Sequence, residues 1–124
     1  MSLETPLHKV EGLGSAHSGV THFWRQRITA AALVPLSIWL IVSALGLVGA
    51  NQADMAFFIS KPLNAILLGA FVVIAVYHMA LGLQVVIDDY IYITWQKFSL
   101  MLLMRAGCLA IIAVCLYFLV RIAG

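Results

Sequence analysis

The sequence predicts an all-α membrane protein with three transmembrane helices, and two observations carry this prediction. Hydrophobic residues fill 64% of the 124 positions, only 10% are charged, and the mean hydropathy is +1.06. Soluble domains contain about 45–50% apolar and about 25% charged residues, so this composition excludes an ordinary soluble fold. Three apolar stretches, at residues 28–50, 62–87 and 98–120, each reach the roughly 20 residues that a membrane span requires.

Residues 1–27 form a polar N-terminal arm that ends in an interfacial segment, and residues 28–124 form the three-helix membrane domain. The run HFWRQR before the first span mixes aromatic and cationic side chains, which is typical of a membrane–water boundary. The arm shows no transit-peptide pattern, which favours a bacterial inner membrane as the location.

Each predicted span carries its own local signals. Pro35 lies inside the first and should bend it, whereas Pro62 opens the second at the helical position where its missing N–H costs least. Arg105 lies near the start of the third span and can extend its side chain to the membrane surface. The two connections of about ten residues fall within the usual range for helical bundles.

Basic residues are distributed unevenly between the two ends of the spans. The end that is richer in Lys and Arg faces the cytoplasm. Five basic residues fall at one end and two at the other, namely Lys9, Arg25, Arg27, Lys97 and Arg105 against Lys61 and Arg121. We therefore expect a cytoplasmic N-terminus. The net charge of +2 comes without a basic stripe, which argues against nucleic-acid binding.

His78 is the candidate functional residue, because it lies deep inside an otherwise uncharged second span. An ionisable side chain at that depth is energetically costly and usually functional. Its chemistry leaves three roles open: a hydrogen bond to a Ser, a Thr or a backbone carbonyl of a neighbouring helix, an axial bond to haem iron, or a proton relay. A second ligand at the same depth is missing from this chain, so a six-coordinate haem would need a partner polypeptide.

A second candidate group follows where the apolar run of the second span ends. Asp89 lies within about 20° of His78 around the helix axis, with the small residues Ala75 and Gly82 on the same side. The small residues would admit either another helix or a flat cofactor. Tyr90 can donate a hydrogen bond to a carbonyl oxygen, with the carboxylate beside it, although a plain interfacial role for Tyr90 explains it as well.

Together these residues resemble the smaller hydrophobic membrane anchor subunit of succinate dehydrogenase, respiratory complex II, of the bacterial type. The resemblance covers most of residues 15–124 and rests on two segments. SGVTHFWRQRITAAALVPL enters the first span, and HMALGLQVVIDDY closes the second. In the latter segment the histidine, carboxylate and tyrosine fall at the spacing of the family.

The resemblance implies a subunit without catalytic residues of its own. Such a subunit pairs with a second three-helix anchor of the cytochrome b type, and both dock beneath a flavoprotein subunit and an iron–sulfur subunit. FAD and the iron–sulfur clusters would belong to those partners, and ubiquinone would be the electron acceptor. The expected function is therefore membrane anchoring and a share in quinone reduction.

The resemblance also implies roles for four residues. The residue His78 would be one axial ligand of a haem b iron, whose other ligand comes from the partner anchor. Tyr90 would bind the quinone carbonyl, with Asp89 beside it. A guanidinium at the boundary suits an anion, so Arg27 would approach a haem propionate or the quinone pocket, while simple anchoring at the boundary explains Arg27 equally well.

Two other functions stay open at this point. An anchor of fumarate reductase or of another quinone-linked enzyme would use the same chemistry in the opposite direction. A self-associating three-helix transporter would place His78 beside a pore, but it predicts more polar residues at membrane depth than this sequence contains.

Overall fold

Four α-helices make up the regular structure of residues 18–124, the part of the chain that the computed structural model describes. They are α1 (Ser18–Gly46), α2 (Gln52–Ser60), α3 (Pro62–Tyr90) and α4 (Thr94–Ala123). Three of them are long and apolar enough to cross a membrane, so the predicted all-α fold with three candidate spans is confirmed. The first seventeen residues of the predicted arm lie outside the described residues.

Helix α1 begins ten residues before the apolar stretch that the sequence marked as a span. Hydropathy locates the part of a helix that enters the hydrocarbon, whereas the backbone hydrogen bonds continue through polar residues at the interface. The cations and aromatics of residues 22–27 are therefore helical. Arg27 lies inside α1, with its position fixed by the helix.

Helix α2 is an element that the sequence prediction did not include, and local chemistry explains it. The chain leaves α1 through Gly49, whose φ of 81° lies in the region that favours glycine. Asn51 then caps α2: its Oδ1 accepts from the backbone N–H of Asp54 at 2.9 Å, and Asp54 Oδ2 accepts from the N–H of Asn51 at 3.2 Å. This reciprocal capping box satisfies two backbone donors that the first turn leaves free.

Side-chain contacts hold α2 against α1 and α3. The rings of Trp39 in α1 and Phe58 in α2 stack with their centroids 6.2 Å apart. Asn64 Nδ2, in the first turn of α3, donates to the backbone carbonyl of Phe58 at 2.9 Å. The connection between the first two spans is therefore an ordered helix.

We expect Asn51→Ala to loosen α2 selectively. Loss of an N-cap side chain costs about 1 kcal/mol, which corresponds to roughly fivefold more frequent local opening. Hydrogen–deuterium exchange of the purified protein should show faster exchange of the amides of 52–60 and unchanged exchange in the middle of α3. Uniform acceleration in both helices would contradict a local role for the cap.

The second connection contains only residues 91–93, not the ten or so expected, because α3 continues through Tyr90 and α4 begins at Thr94. An ion pair bridges this turn, with Lys97 Nζ 3.4 Å from Asp88 Oδ1. A carboxylate at a helix C-terminus and an ammonium at a helix N-terminus are each unfavourable alone. Their contact offsets both effects, so Asp88 is a helix residue engaged by its neighbour.

Helix α3 lies between α1 and α4, and no Cα atom of α1 comes within 8 Å of one in α4. At Gly69 the contact between α3 and α4 is close, since a Cβ there would lie 3.4 Å from a methyl carbon of Leu119. The three long helices thus form a layer with two broad faces.

This layer has almost no core of its own. Among residues 18–124, the buried apolar side chains are Val76, Leu81 and Cys108. Large apolar side chains along all three long helices are exposed instead. In a membrane protein such surface faces lipid or other membrane subunits.

Candidate functional site

His78 contacts Thr29 of the neighbouring helix. The distance from His78 Nδ1 in α3 to Thr29 Oγ1 in α1 is 2.9 Å, and both side chains are partly buried. The contact joins the start of the apolar stretch of α1 to the interior of α3. It matches the structural role that the sequence left open for His78, namely a hydrogen bond to a hydroxyl of an adjacent helix.

The surroundings of Thr29 indicate which way this hydrogen bond runs. Its hydroxyl donates within α1, with the carbonyl oxygens of Arg25 and Gln26 at 2.8 and 3.0 Å. A hydroxyl carries one proton but can accept through its lone pairs. With that proton directed at a carbonyl of α1, the Nδ1–H of His78 would donate to Thr29 Oγ1, and the lone pair of the imidazole would lie on Nε2.

The side chain of His78 is partly exposed, and its Nε2 has no hydrogen-bond partner among residues 18–124. Across the same residues, the one buried side-chain nitrogen or oxygen without a hydrogen-bond partner is Nε2 of His22. One nitrogen of His78 is fixed by the chain and the other remains available to a group outside it.

The face of α3 beside His78 is open. A Cβ placed on Gly82 would meet no atom within 4 Å, and Ala75 lies on the same side of the helix. At Gly82 the surface of α3 therefore leaves room for a large group or another helix.

Asp89 and Tyr90, the residues predicted at the end of the second span, lie in the last turn of α3 and are called the rim below. Tyr90 is the final residue of the helix and is 75% exposed. Asp89 is exposed as well, and the single ion pair in the described residues belongs to its neighbour Asp88. The rise of a helix puts Tyr90 roughly 18 Å from His78 along the axis. The structure places these residues on one helix but does not bring them into contact.

Arg27 occupies the side of α1 that faces away from α3. It lies two residues before Thr29, which is about 200° around the helix axis, and its side chain is exposed. The Cζ atom of its guanidinium lies 4.9 Å from the centroid of the Phe23 ring, a cation–π geometry. Arg27 is therefore available to a group outside this chain but does not reach His78 within it.

Sequence reasoning missed three residues on the opposite side of α1. His22, Arg25 and Thr29 follow an i, i+3, i+7 spacing and share one helix face. The signal was present, but the helix was expected to begin only at residue 28. Of these, Thr29 proves the most informative because it orients His78.

Metal binding by this chain alone has little support in the described residues, since no group of three potential metal ligands gathers there. The fold and the site thus define an integral membrane protein in which a second helix holds the imidazole of His78 by a hydrogen bond. Its exposed polar residues Asp89 and Tyr90 lie at the end of α3.

Comparison with known proteins identifies the particular family. The family model described as "Succinate dehydrogenase/Fumarate reductase transmembrane subunit" matches residues 1–120. The chain is 31% identical over 117 residues to the succinate dehydrogenase hydrophobic membrane anchor subunit of Paracoccus denitrificans, covering 94% of this chain and 90% of that protein. The chain therefore belongs to the family of succinate dehydrogenase membrane anchor subunits.

Two further relatives carry the same description. The protein from Rickettsia bellii is 41% identical over 83 residues, which cover 67% of this chain and 66% of the relative. The protein from Rickettsia conorii is 35% identical over 109 residues, covering 84% and 83%. No solved structure matches the chain significantly. The resemblance that the sequence suggested is confirmed, and it favours an anchor over a self-associating transporter.

Proposed function

We propose that this chain anchors succinate dehydrogenase in a bacterial inner membrane, shares a haem b with a second anchor through His78, and forms part of the ubiquinone reduction site. The proposed orientation has a cytoplasmic N-terminus, following the excess of Lys and Arg at that end. The rim at Tyr90 then lies on the cytoplasmic side, where the soluble subunits dock.

The observation that carries the haem proposal is that only one of the two ring nitrogens of His78 is engaged within the described residues. Thr29 Oγ1 holds Nδ1 at 2.9 Å, and Nε2 would be left with the lone pair. Histidines that ligate metals usually donate their other ring N–H to a nearby acceptor, which fixes the tautomer and the ring orientation. The hydrogen bond to Thr29 thus supports iron ligation instead of competing with it.

The open face beside His78 supports the same proposal. The space at Gly82 suits a flat group lying against α3, and no second ligand is offered by this chain at that depth. The other axial ligand would come from the second three-helix anchor. When bound, the haem supplies a one-electron carrier whose potential is tuned by its ligands and their hydrogen bonds.

At the rim, we assign Tyr90 to the quinone. Its phenol is exposed and can donate to a carbonyl oxygen, and Asp89 next to it is free of ion pairs among residues 18–124, so it is available to orient the phenol or to pass a proton. The outward guanidinium of Arg27 would meet a haem propionate or the edge of the quinone pocket.

The exposed apolar surface of the layer supports a partner within the membrane, and the proposed partners are the second anchor, an iron–sulfur subunit and a flavoprotein subunit. FAD and the iron–sulfur clusters would reside in the latter two. The named relatives are all succinate dehydrogenase anchors, which supports succinate oxidation as the direction over fumarate reduction.

Copurification combined with a haem spectrum tests this function. An affinity tag on the chain should bring down three other polypeptides, and the reduced-minus-oxidised spectrum should show a b-type haem. The isolated complex should also reduce ubiquinone with succinate. Recovery of a homo-oligomer that lacks haem would overturn the proposal.

The role of Thr29 can be tested by itself. We expect Thr29→Val to weaken haem binding by roughly 10- to 100-fold, the usual effect of removing a hydrogen bond to a metal-ligating histidine. Thr29→Ser should restore binding because it keeps the hydroxyl. Thr21→Val, two turns earlier on an exposed site of α1, is the matched control. Titration of the apo-complex with haem measures the affinity of each variant. Equal haem affinities of Thr29→Val and Thr21→Val would contradict the proposed role of Thr29.

A further inference from the structure

A groove runs over α3 between α1 and α4. Its volume is about 360 Å³, within the roughly 300–1,000 Å³ range of small-molecule sites. Most of its lining is apolar, including Leu81 and Cys108, which are 6% and 8% exposed. Its polar lining includes two cations, Arg25 from α1 and Arg105 from α4.

This groove is separate from the proposed haem site. Its lining residues Tyr77 and Gln84 lie about 100° or more from His78 around the axis of α3. His78, Thr29 and Gly82 do not line it. The groove and the proposed haem site therefore lie on different sides of the same helix.

The polar and apolar parts of the groove are at opposite ends. Arg25 lies four residues, or roughly 6 Å, beyond Thr29 toward the start of α1, and Gln84 lies in the part of α3 that approaches its end at Tyr90. The deeper end is lined by Val76 and Ile112. The groove is thus polar toward the membrane surface and apolar toward the membrane interior.

The two guanidinium groups lack an acidic partner in the described part of the chain. The ion pair found there joins Lys97 and Asp88. Arg105 lies about three turns inside α4, and an unpaired charge at such a depth is unfavourable. Two cations that line one apolar groove therefore favour an anion that carries a hydrocarbon chain.

We propose that this groove binds one anionic phospholipid. The phosphate lies between Arg25 and Arg105, since guanidinium groups match phosphate oxygens in a bidentate manner. Gln84 donates its amide N–H to a headgroup or ester oxygen, and an acyl chain lies along the deeper apolar lining toward Ile112. A quinone would fill the apolar part but has no charge to match the two arginines.

Native mass spectrometry of the whole complex tests the proposal. The complex is released from nanodiscs of phosphatidylcholine that contain some phosphatidylglycerol, and the retained phosphatidylglycerol is counted. Replacing each arginine by Gln should lower its affinity by about fivefold, and the double variant by about 25-fold, given the usual contribution of a basic residue near an anionic lipid. Lysine at both positions should bind more strongly than the double Gln variant but more weakly than arginine, because it keeps the charge and loses the bidentate geometry.

Arg121→Gln is the matched control, because Arg121 lies in the last turn of α4 at the other end of the layer. An equal loss of phosphatidylglycerol in this control would overturn the proposal. So would loss of copurified quinone from the double variant with phosphatidylglycerol unchanged. As a measurement on the unaltered complex, phosphatidylglycerol with a photoreactive acyl chain should label the segment of α4 around Cys108 and Ile112. Labelling only outside this segment would also overturn the proposal.

Discussion

Replacement of His78 by Leu is expected to abolish the low-spin b-type haem spectrum of the complex. On the proposed function, a haem with one axial ligand from each anchor would keep a single ligand when this imidazole is removed. The iron would then be five-coordinate and high-spin, or the haem would be lost. Optical difference spectra and electron paramagnetic resonance of the purified complex measure the change, and we expect nearly complete loss of the low-spin signal.

Two companion variants distinguish ligation from packing. Met79→Leu changes the next residue, whose side chain is exposed, and should leave the spectrum intact. His78→Gly leaves a space at the ligand position, so added imidazole should restore the low-spin signal in a concentration-dependent way. A low-spin spectrum in His78→Leu that equals that of the unaltered complex would exclude His78 as a ligand.

The fold could be predicted from the sequence to the level of its spans. Long apolar runs report burial in hydrocarbon, and each predicted span lies largely within a helix of the structure. The helix ends could not be predicted in this way, because hydropathy does not distinguish polar helix from polar loop. Helix α2 could have been found from Asn51 and Asp54, whose spacing matches a capping box.

For the site, the sequence could identify residues that are unusual in their setting, such as His78 within an apolar span. It could not identify Thr29, because threonine is unremarkable near the start of a membrane helix. Its importance arises only when α1 packs against α3 and brings Oγ1 to 2.9 Å from Nδ1. A pairing 49 residues apart in the chain leaves no local pattern.

The contact between His78 and Thr29 also resolves an apparent conflict between two roles. A structural hydrogen bond and iron ligation compete only if both need the same nitrogen. Here Nδ1 makes the hydrogen bond, and Nε2 is the nitrogen proposed to bind iron, so on this proposal the hydrogen bond between helices would prepare the ligand. The packing of α1 on α3 would then set the orientation of the imidazole before the partner anchor arrives.

At the other end of α3, Tyr90→Phe is expected to slow ubiquinone reduction by succinate by on the order of tenfold to a hundredfold. The phenol would donate to a quinone oxygen that gains negative charge during reduction, and hydrogen bonds to charged groups contribute about 1.5–3 kcal/mol. Electron delivery from succinate to a soluble dye at the flavoprotein subunit should not change, because that reaction does not use the rim. Steady-state assays with each acceptor measure the two rates.

Tyr92→Phe is the control that makes this prediction specific. Tyr92 lies two residues further on and is 86% exposed, slightly more than Tyr90 at 75%, so the two substitutions remove the same hydroxyl from neighbouring surface positions. If the phenol at 90 binds quinone, only Tyr90→Phe lowers the quinone rate while dye reduction and haem content stay constant. Equal slowing in both variants would assign the tyrosines to the membrane interface, and loss of both activities in Tyr90→Phe would indicate that α3 needs this residue for assembly with its partners. The quinone assignment therefore depends on a difference between two phenols that lie two residues apart, of which only that of Tyr90 is proposed to bind quinone.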